Sequence, residues 1–263
     1  MLGVEESAQL VAVITGGASG IGYATAERLC AHGVVAVLAD RDCDRAVQAA
    51  ERLRAVGGIA HSVAVDVTDP ISVDSLMDDA VAQHGGVDLL VNCAGFALPQ
   101  PSAELDDASW AAQLDVHLGG TMRCCRAAHD ALARSPHAAI VNVSSVLARV
   151  GNPMRLAYSA AKAGIEGMTR TLAVEWAADG IRVNAIAPGY TRTPLVEALI
   201  REGKVDATSL LRQIPLGRLA ESAEIAGAIA FLCGPDARYL TGQALCVDGG
   251  MSVDGAWGVA VAC

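Results

Sequence analysis

Short apolar runs alternate with longer stretches of helical periodicity along most of the chain. Candidate strands, rich in β-branched residues, are residues 10–14, 34–39, 60–65, 87–91, 139–143, 182–186 and 244–247. Candidate helices between them are residues 21–32, 42–56, 71–84, 108–134, 157–177 and 223–233. Nearly continuous apolar strands are typical of parallel strands covered on both faces, and strand–helix–strand units return by right-handed crossovers. The pattern therefore predicts an α/β protein with a doubly wound sheet.

The amino-acid composition and net charge indicate which classes of protein this chain can belong to. Of the 263 residues, 52% are hydrophobic and 18% are charged, which is enough apolar material for a sizeable core. No repeat, low-complexity tract or linker breaks the alternation, so we expect residues 1–263 to form one domain. The net charge of −10 disfavours attraction to nucleic acid or an anionic membrane. Residues 1–9 lack a basic n-region, and the apolar runs are shorter than the ~20 residues of a membrane span, so we predict a cytoplasmic protein.

The eight cysteines do not form a metal-binding pattern. The chain has no Cys-x-x-Cys pair and no cluster of cysteine and histidine at ligand spacing. Several of the cysteines lie in apolar stretches, where a free thiol behaves as a small hydrophobic group. We therefore expect structural thiols and no metal.

A glycine-rich turn joins the first predicted strand to the first predicted helix. Residues 15–22 read Thr-Gly-Gly-Ala-Ser-Gly-Ile-Gly, with glycines at 16, 20 and 22 and with Ser19 and Ile21 between them. Glycines permit a tight turn and let the backbone approach a pyrophosphate at the positive end of the helix. An ordinary loop is the alternative, but the order of strand, turn and helix favours a dinucleotide site made by Gly16, Ser19, Gly20, Ile21 and Gly22.

Acidic residues follow the second and third predicted strands. Asp40 lies about 20 residues after the glycines, where a carboxylate accepts hydrogen bonds from the adenosine ribose. Because its charge repels a 2′-phosphate, NAD is favoured over NADP, although Arg41 softens this preference by offering a phosphate partner. Asp40 as a helix cap is the alternative, but Asp42 is better placed for capping. Asp66 and Val67 are expected beside the adenine, with a turn role as the alternative for Asp66.

Tyr158 and Lys162 are four residues apart in a predicted helix, so their side chains lie on one face, one turn apart. A phenol that ordinarily titrates near ~10 becomes an effective proton donor or acceptor when an ammonium group stabilises its anion. Ser145, thirteen residues upstream, offers a hydroxyl to a carbonyl or alcohol oxygen. A buried aromatic with a satisfied hydroxyl is the alternative for Tyr158. The combination of a nucleotide site with a tuned phenol indicates hydride transfer.

These residues form a pattern that resembles the short-chain dehydrogenase/reductase family over nearly the whole chain. The matching elements are residues 15–22, Asp66-Val67, Asn92-Cys93-Ala94-Gly95, residues 142–145, residues 158–162, Asn184 and Pro188-Gly189. The resemblance implies a Rossmann-like fold with a seven-stranded parallel sheet, catalysis by Ser145, Tyr158 and Lys162, and assembly as a homotetramer or dimer. It further implies that the coenzyme is lined by Asn92, Ala94, Gly95, Tyr158, Lys162, Pro188, Gly189, Thr191 and Thr193.

Two positions depart from the family pattern. Cys93 replaces an Asn beside the coenzyme, and a weakly polar sulfur is expected to pack there. His117, seven residues after Trp110, replaces an Asn that in the family helps to hold a water between the active-site lysine and solvent. An imidazole can donate and accept, so His117 either preserves this relay and titrates in it, or blocks it, or packs in the helix.

Residues 193–215 interrupt the alternation with two short helical pieces around Gly203 and are expected to form a lid over the substrate. The residues expected near the reacting carbon or on the lid are Phe96, Leu147, Val150, Met154, Leu156, Tyr190, Leu195, Val196, Leu199 and Ile200. Arg149, Arg155 and Arg192 belong either to the pocket or to the surface. An apolar secondary alcohol or ketone is the expected small-molecule substrate.

Two other functions are open to such a chain. An NADPH-dependent 3-oxoacyl thioester reductase of the same family is opposed by Asp40 and by the acidity of the chain. A non-catalytic nucleotide-binding sensor, with a relay compromised at His117, is opposed by the intact set of Ser145, Tyr158 and Lys162.

Overall fold

The computed structural model describes residues 9–203 and 206–254. The side chain of Leu195 and residue Cys263, both considered above, lie outside this described part. The strands are β1 Val11–Thr15, β2 Val35–Asp40, β3 Ala60–Ala64, β4 Leu89–Asn92, β5 Ala139–Val143, β6 Arg182–Pro188, β7 Thr191–Arg192, β8 Ala220–Glu221 and β9 Ala244–Val247. Seven of them form one parallel sheet in the order β3-β2-β1-β4-β5-β6-β9, while β7 and β8 pair separately. The predicted α/β fold with a seven-stranded parallel sheet is confirmed.

Helices cover both faces of this sheet. They are α1 Gly20–Cys30, α2 Cys43–Ala55, α3 Pro70–His84, α4 Asp107–Leu114, α5 Gly120–Leu132, α6 Leu156–Glu175, α7 Pro194–Arg201, α8 Ala207–Leu211 and α9 Ser222–Cys233. Asp42 caps α2 by accepting a hydrogen bond from the Arg45 backbone at 3.1 Å, as its position predicted. None of the helices in the described ranges is both long enough and apolar enough to cross a membrane.

The continuous apolar character of the strands follows from these two helical layers. In β1, Val11 and Val13 pack into the core on one face, together with Leu76 of α3. Ala12 and Ile14 pack into the core on the other face, beneath α1, α2 and α9. Each fully buried Val, Leu or Ile side chain contributes about 1.5–3 kcal/mol relative to exposure. Burial on both faces therefore fixes the sheet firmly and leaves its carboxyl edge free to carry function.

The helix predicted over residues 108–134 is wrong in one respect, because it is not continuous. A π-helical segment, Asp115–Gly119, separates α4 from α5. In this segment the Gly120 backbone N–H donates to the carbonyl of Asp115, one residue further back than in an α-helix. The extra residue changes the direction of the side chains at 115–119, and His117 becomes buried.

The strand order reverses between β1 and β4, since the chain runs outward to β3 and then crosses back. Ligands of doubly wound sheets bind at such a switch point, beyond the carboxyl ends of the strands. The two short helices expected around Gly203 are α7 and α8, and they follow β6 at this same edge. A ligand site is therefore expected at the edge formed by the carboxyl ends of the strands.

Candidate active site

One cavity of about 520 Å³ lies along the carboxyl edge of the sheet. We call its part at the ends of β1, β2 and β3 the glycine-turn side, and its part beside β5, β6, α6 and α7 the tyrosine side. The predicted site residues that line it are Gly16, Ser19, Gly20, Ile21, Gly22, Asp40, Arg41, Asp66, Val67, Ala94, Gly95, His117, Ser145, Tyr158, Lys162, Pro188, Gly189, Thr191 and Thr193. Residues far apart in sequence therefore meet at one surface.

The glycine-turn side is built largely from backbone. Gly16 has φ +65°, and a Cβ there would lie 3.0 Å from the backbone of Ala94. A Cβ on Gly22 would lie 2.3 Å from the carbonyl oxygen of Gly16. Ser19 is the N-cap of α1, and its side chain makes no capping hydrogen bond. The turn is thus closed to larger residues and presents the positive end of an 11-residue helix to the cavity, which suits a pyrophosphate.

Asp40 is fixed at the end of β2 by two backbone donors. Its carboxylate accepts from the N–H of Ala18 at 3.2 Å and from the N–H of Asp42 at 3.1 Å. The first bond ties the carboxylate to the glycine-rich turn itself. Beyond β3, Asp66 accepts from the backbone and the hydroxyl of Thr68, and these bonds hold the pKa of Asp66 below its ordinary value. Hydrogen bonds thus fix the orientation of both carboxylates at this end of the cavity.

Asn92 differs from the expectation that it lines the coenzyme. Its side-chain amide donates to Asn142 at 2.9 Å, and Asn142 in turn donates to Thr169 of α6 at 3.0 Å. Asn92 Oδ1 is buried and has no partner in the part of the chain that the structure describes. The reason is the alternation of the strand: Asn92 is the last residue of β4 and turns toward the helices, whereas Ala94 and Gly95 follow the strand and reach the cavity.

Ser145, Tyr158 and Lys162 come together on the tyrosine side. Ser145 follows β5, and its Oγ accepts from the backbone N–H of Leu147 at 3.2 Å. Tyr158 and Lys162 occupy the first two turns of α6, with Lys162 Nζ 5.6 Å from the centroid of the Tyr158 ring. Nζ donates to the carbonyl of Val143 at 2.7 Å. The hydroxyl, the phenol and the ammonium thus share one surface of the cavity.

The pKa of Tyr158 differs from the expectation that Lys162 lowers it. Burial raises the pKa of Tyr158 above its ordinary value, and a hydrogen bond with Ser145 and the charge of Arg155 offset only part of this increase. Burial also lowers the pKa of Lys162 to about 8. Desolvation by burial is therefore the largest influence on the pKa of Tyr158 in the chain's own environment.

His117 packs in the cavity wall and is neutral. Its Nε2 lies 2.8 Å from the carbonyl oxygen of Phe96 and 3.4 Å from the backbone nitrogen of the same residue, and the shorter contact favours the tautomer with the proton on Nε2. The ring stacks on Phe96 and meets the edge of Tyr158, with ring centroids 5.6 and 5.2 Å away. Burial and the charge of Lys162 lower the pKa of His117 to about 3. The lowered pKa opposes the alternative in which His117 titrates near neutral pH, and the ring contacts agree with the alternative in which it packs. A role of His117 in holding a relay water stays a prediction.

Cys93 also faces the cavity. Burial raises the pKa of its thiol to about 12, so the sulfur stays protonated and unreactive at neutral pH. The seven cysteines within the described ranges are all unpaired thiols. No group of three or more His, Cys, Asp or Glu suited to a metal ion occurs within those ranges either.

Comparison with known proteins assigns the family. A family model described as Enoyl-(Acyl carrier protein) reductase matches residues 16–252. The chain belongs to the short-chain dehydrogenase/reductase family. It is 47% identical to cis-4-hydroxycyclohexanecarboxylate dehydrogenase of Sinomonas cyclohexanicum over 247 residues, covering 94% of this chain and 98% of that relative. It is 36% identical to 3-oxoacyl-[acyl-carrier-protein] reductase FabG of Escherichia coli (strain K12), over 92% of this chain and 96% of that protein.

A solved structure supports the same assignment. The crystal structure of gox2181 superposes with a TM-score of 0.90 at 34% identity, covering 94% of this chain and 96% of that one. Short-chain dehydrogenase/reductases bind nicotinamide coenzymes and act on small molecules, so the cavity is that of an oxidoreductase. The glycine-rich turn, closed by backbone contacts, fits such a coenzyme.

The tyrosine side of this short-chain dehydrogenase/reductase is mainly apolar. Five of the side chains expected near the substrate line it, namely Phe96, Leu147, Tyr190, Val196 and Leu199. Val150 and Ile200 do not line the cavity but pack in the hydrophobic cluster that also contains Leu147. Met154 and Leu156 are exposed and do not line the cavity, which differs from the expectation. Sequence periodicity could not separate these roles, because the residues lie in loops and helix ends.

The three arginines left open by the sequence have different places. Arg149 forms an ion pair with Glu166 at 3.2 Å, and Arg192 forms one with Glu221 at 2.9 Å. Neither arginine lines the cavity, whereas Arg155 does. Arg155 is the N-cap residue of α6, three positions before Tyr158.

Proposed function

We propose that this short-chain dehydrogenase/reductase transfers a hydride between NAD(H) and a secondary alcohol or ketone with an apolar carbon skeleton. The observation that carries the proposal is that Ser145, Tyr158 and Lys162 meet in the same cavity as the glycine-rich turn. The nicotinamide ring, when bound, supplies or accepts the hydride. The chain's own residues position the substrate and move its proton.

In this mechanism Tyr158 is the general acid and base. During oxidation its phenolate accepts the proton of the alcohol, and during reduction its hydroxyl protonates the forming alkoxide. The Oγ of Ser145 accepts from the Leu147 backbone at 3.2 Å and is within hydrogen-bonding reach of Tyr158, and in this mechanism its O–H donates to the bound substrate oxygen and stabilises charge there. Lys162, which is largely protonated below its pKa of about 8, stabilises the phenolate.

NAD is the proposed coenzyme because of Asp40. Its carboxylate is held by the Ala18 and Asp42 backbones, so it would face the 2′ position of the adenosine ribose and repel a phosphate. The 36% identity with the FabG reductase favours a second candidate, an NADPH-dependent 3-oxoacyl thioester reductase. Initial rates with NADH and NADPH, on cyclohexanone and on a 3-oxoacyl thioester, separate the two. Faster turnover of the thioester with NADPH would favour the second candidate.

A cyclic secondary alcohol is the proposed substrate class. The relative at 47% identity is named as a dehydrogenase of cis-4-hydroxycyclohexanecarboxylate, whose reacting group is a ring carbinol. The apolar residues Leu147, Val196 and Leu199 offer a surface to such a ring. The helix α7, which carries Val196 and Leu199, is the proposed lid.

Replacement of Tyr158 by Phe tests the proton-transfer role. We expect kcat to fall by about 10²–10⁴-fold, the usual contribution of a general acid or base. The variant Tyr239→Phe is a matched control, since Tyr239 is fully exposed and should keep full activity. Binding of NADH, followed by fluorescence, should be retained in both variants. Turnover in Tyr158→Phe within a few-fold of the wild type would reject the proposal.

A further inference from the structure

Arg155 lines the cavity without a partner of its own. Arg149 and Arg192 each hold a carboxylate, at 3.2 and 2.9 Å. In contrast, the half-buried guanidinium of Arg155 makes no hydrogen bond and no ion pair with any residue in the ranges 9–203 and 206–254. A half-buried cation that faces a cavity without a counter-charge is costly to keep there, because the surrounding protein solvates it less well than water does. An anionic ligand in the cavity would offset this unfavourable desolvation energy.

The charge on the tyrosine side is positive. Of the described residues that line it, the charged ones are Arg155 and Lys162, and Lys162 Nζ is already bonded to the Val143 carbonyl. The cavity-lining carboxylates follow β2 and β3 on the glycine-turn side. In the sheet, β2 lies three strand spacings, roughly 14 Å, from β5, and within the described residues no carboxylate of the glycine-turn side forms an ion pair with Arg155. They do not neutralise Arg155.

Arg155 lies close to the proposed reacting group. Burial raises the pKa of both Tyr158 and Tyr190, and the charge of Arg155, which lines the cavity with them, offsets part of this increase. Its neighbours otherwise are hydrocarbon, including Leu147 and Leu199. A ligand that fits here has one anionic end and an apolar body, with its reacting carbon at Tyr158.

The backbone before Arg155 is held in an unfavourable conformation. Met154 has φ +63°, which costs a residue with a side chain about 1–2 kcal/mol. Its carbonyl accepts from the Gln100 backbone at 3.1 Å, and the nearby Asn152 donates to the Tyr190 hydroxyl at 2.8 Å. Strain of this kind persists where surrounding contacts over-determine it, often at ligand sites. Here it fixes the start of α6 and hence the position of Arg155.

We infer that Arg155 binds a carboxylate on the substrate, so that the substrate class is a hydroxy or oxo carboxylic acid whose carbinol or ketone carbon lies at Tyr158. The inference rests on the proposed function and names the substrate class of the same site. A guanidinium presents two parallel N–H donors that match a carboxylate. A single unpaired cation in apolar surroundings balances one negative charge, which favours a carboxylate over a phosphate dianion.

The test compares an acid with its uncharged counterpart. The probes are 4-oxocyclohexanecarboxylate and 4-oxocyclohexanecarboxamide, reduced with NADH by the wild type, Arg155→Gln and Arg192→Gln. We expect the wild type to prefer the acid by about 10- to 100-fold in kcat/KM, mainly through KM. This ratio should fall to within about 3-fold of unity in Arg155→Gln. It should persist in Arg192→Gln, because Arg192 does not line the cavity.

A binding measurement separates this inference from the proposed function. Calorimetric titration of the protein–NAD⁺ complex with cyclohexanecarboxylate needs no turnover, and Arg155→Gln should weaken this binding at least 10-fold. Equal wild-type rates on acid and amide, or a preference that survives in Arg155→Gln, would overturn the role of Arg155. Loss of the proposed function has a different signature, namely undiminished ketone reduction in Tyr158→Phe.

Discussion

The two sides of the cavity are built in different ways. On the glycine-turn side, backbone atoms of Gly16, Gly22 and Ala94 approach so closely that added side chains would collide with them. On the tyrosine side, side chains held by irregular backbone line the cavity: His117 in a π-helical segment and Arg155 after the left-handed Met154. The first side is suited to a ligand part that many enzymes share. The second is suited to a part that differs from one enzyme to the next.

This difference has an energetic counterpart. The glycine-turn side binds anions with helix and turn N–H groups, which are dipoles and need no buried ionised side chain. The tyrosine side buries an ammonium, Lys162, and half-buries a guanidinium, Arg155, in mainly apolar surroundings. Reactivity and selectivity are thus obtained there at a cost in folding stability, as is common for active sites.

The variant Gly22→Ala should weaken coenzyme binding at the glycine-turn side. A Cβ at position 22 would lie 2.3 Å from the Gly16 carbonyl oxygen, so the turn must shift and misdirect its N–H groups. Loss of two such hydrogen bonds to a charged group corresponds to roughly 100-fold weaker NADH binding or more. Fluorescence titration measures this effect for the folded variant.

The matched control for that substitution is Gly86→Ala, since nothing lies within 4 Å of a Cβ at position 86. NADH affinity in the control should equal that of the wild type. If Gly22→Ala folds and binds NADH with unchanged affinity, the backbone account of this side of the cavity fails.

Most of the glycine-turn side could be predicted from sequence for a physical reason. A strand, a glycine-rich turn and a helix in this order admit few backbone paths, and Asp40 ends the next strand at the same edge. The five central strands β1, β2, β4, β5 and β6 were predictable because burial on both faces makes them continuously apolar, whereas the edge strands β3 and β9 are only partly buried. The direction of the Asn92 side chain was not predictable. Whether the last residue of a strand points to the ligand or to the core depends on the length and twist of the strand.

The tyrosine side was harder to predict. The motif of Tyr158 and Lys162 needs only helical spacing, so it was visible. The π-helical segment around His117 was not predicted, because a segment of five residues is too short for the shift in hydrophobic periodicity to be read from sequence. The sequence also did not decide whether Arg155 lies in the pocket or on the surface. An arginine before a helix is ordinarily solvated, and only the path of the loop after β5 brings Arg155 into the cavity.

The variant Lys162→Met should expose the cost of the buried ammonium. The pKa of Lys162 is about 8 in the folded chain and 10.5 in its ordinary state, so the unfolded chain binds the proton more tightly. Wild-type stability from this group therefore rises as pH increases from about 8 toward 10.5. The free energy of unfolding of Lys162→Met, minus that of the wild type, should decrease by about 2 kcal/mol between pH 7 and pH 9.5.

Urea denaturation at the two pH values provides this measurement, and the subtraction removes groups that titrate in both proteins. Activity should fall in the variant even though the cost of burying the charge is gone, since the phenolate of Tyr158 loses its neighbouring cation. A difference in stability that is independent of pH would mean that Lys162 is not desolvated as its contacts indicate.

The variant Met154→Gly should give the smallest effect, and it tests whether irregular backbone serves selectivity on the tyrosine side. Glycine adopts φ +63° without steric cost, so the strain is relieved, although the unfolded chain becomes more flexible. We expect the net free energy of unfolding to increase by about 0.5–1 kcal/mol. The preference for acid over amide should fall a few-fold, because the start of α6 and Arg155 are held less firmly.

The control Met154→Ala removes the half-exposed side chain and keeps the strain, so its stability should not increase. A Gly variant less stable than the Ala variant by about 0.5–1 kcal/mol, the entropic cost of glycine alone, would show that the left-handed backbone at Met154 stores no strain, and Arg155 would then owe its position to side-chain packing alone.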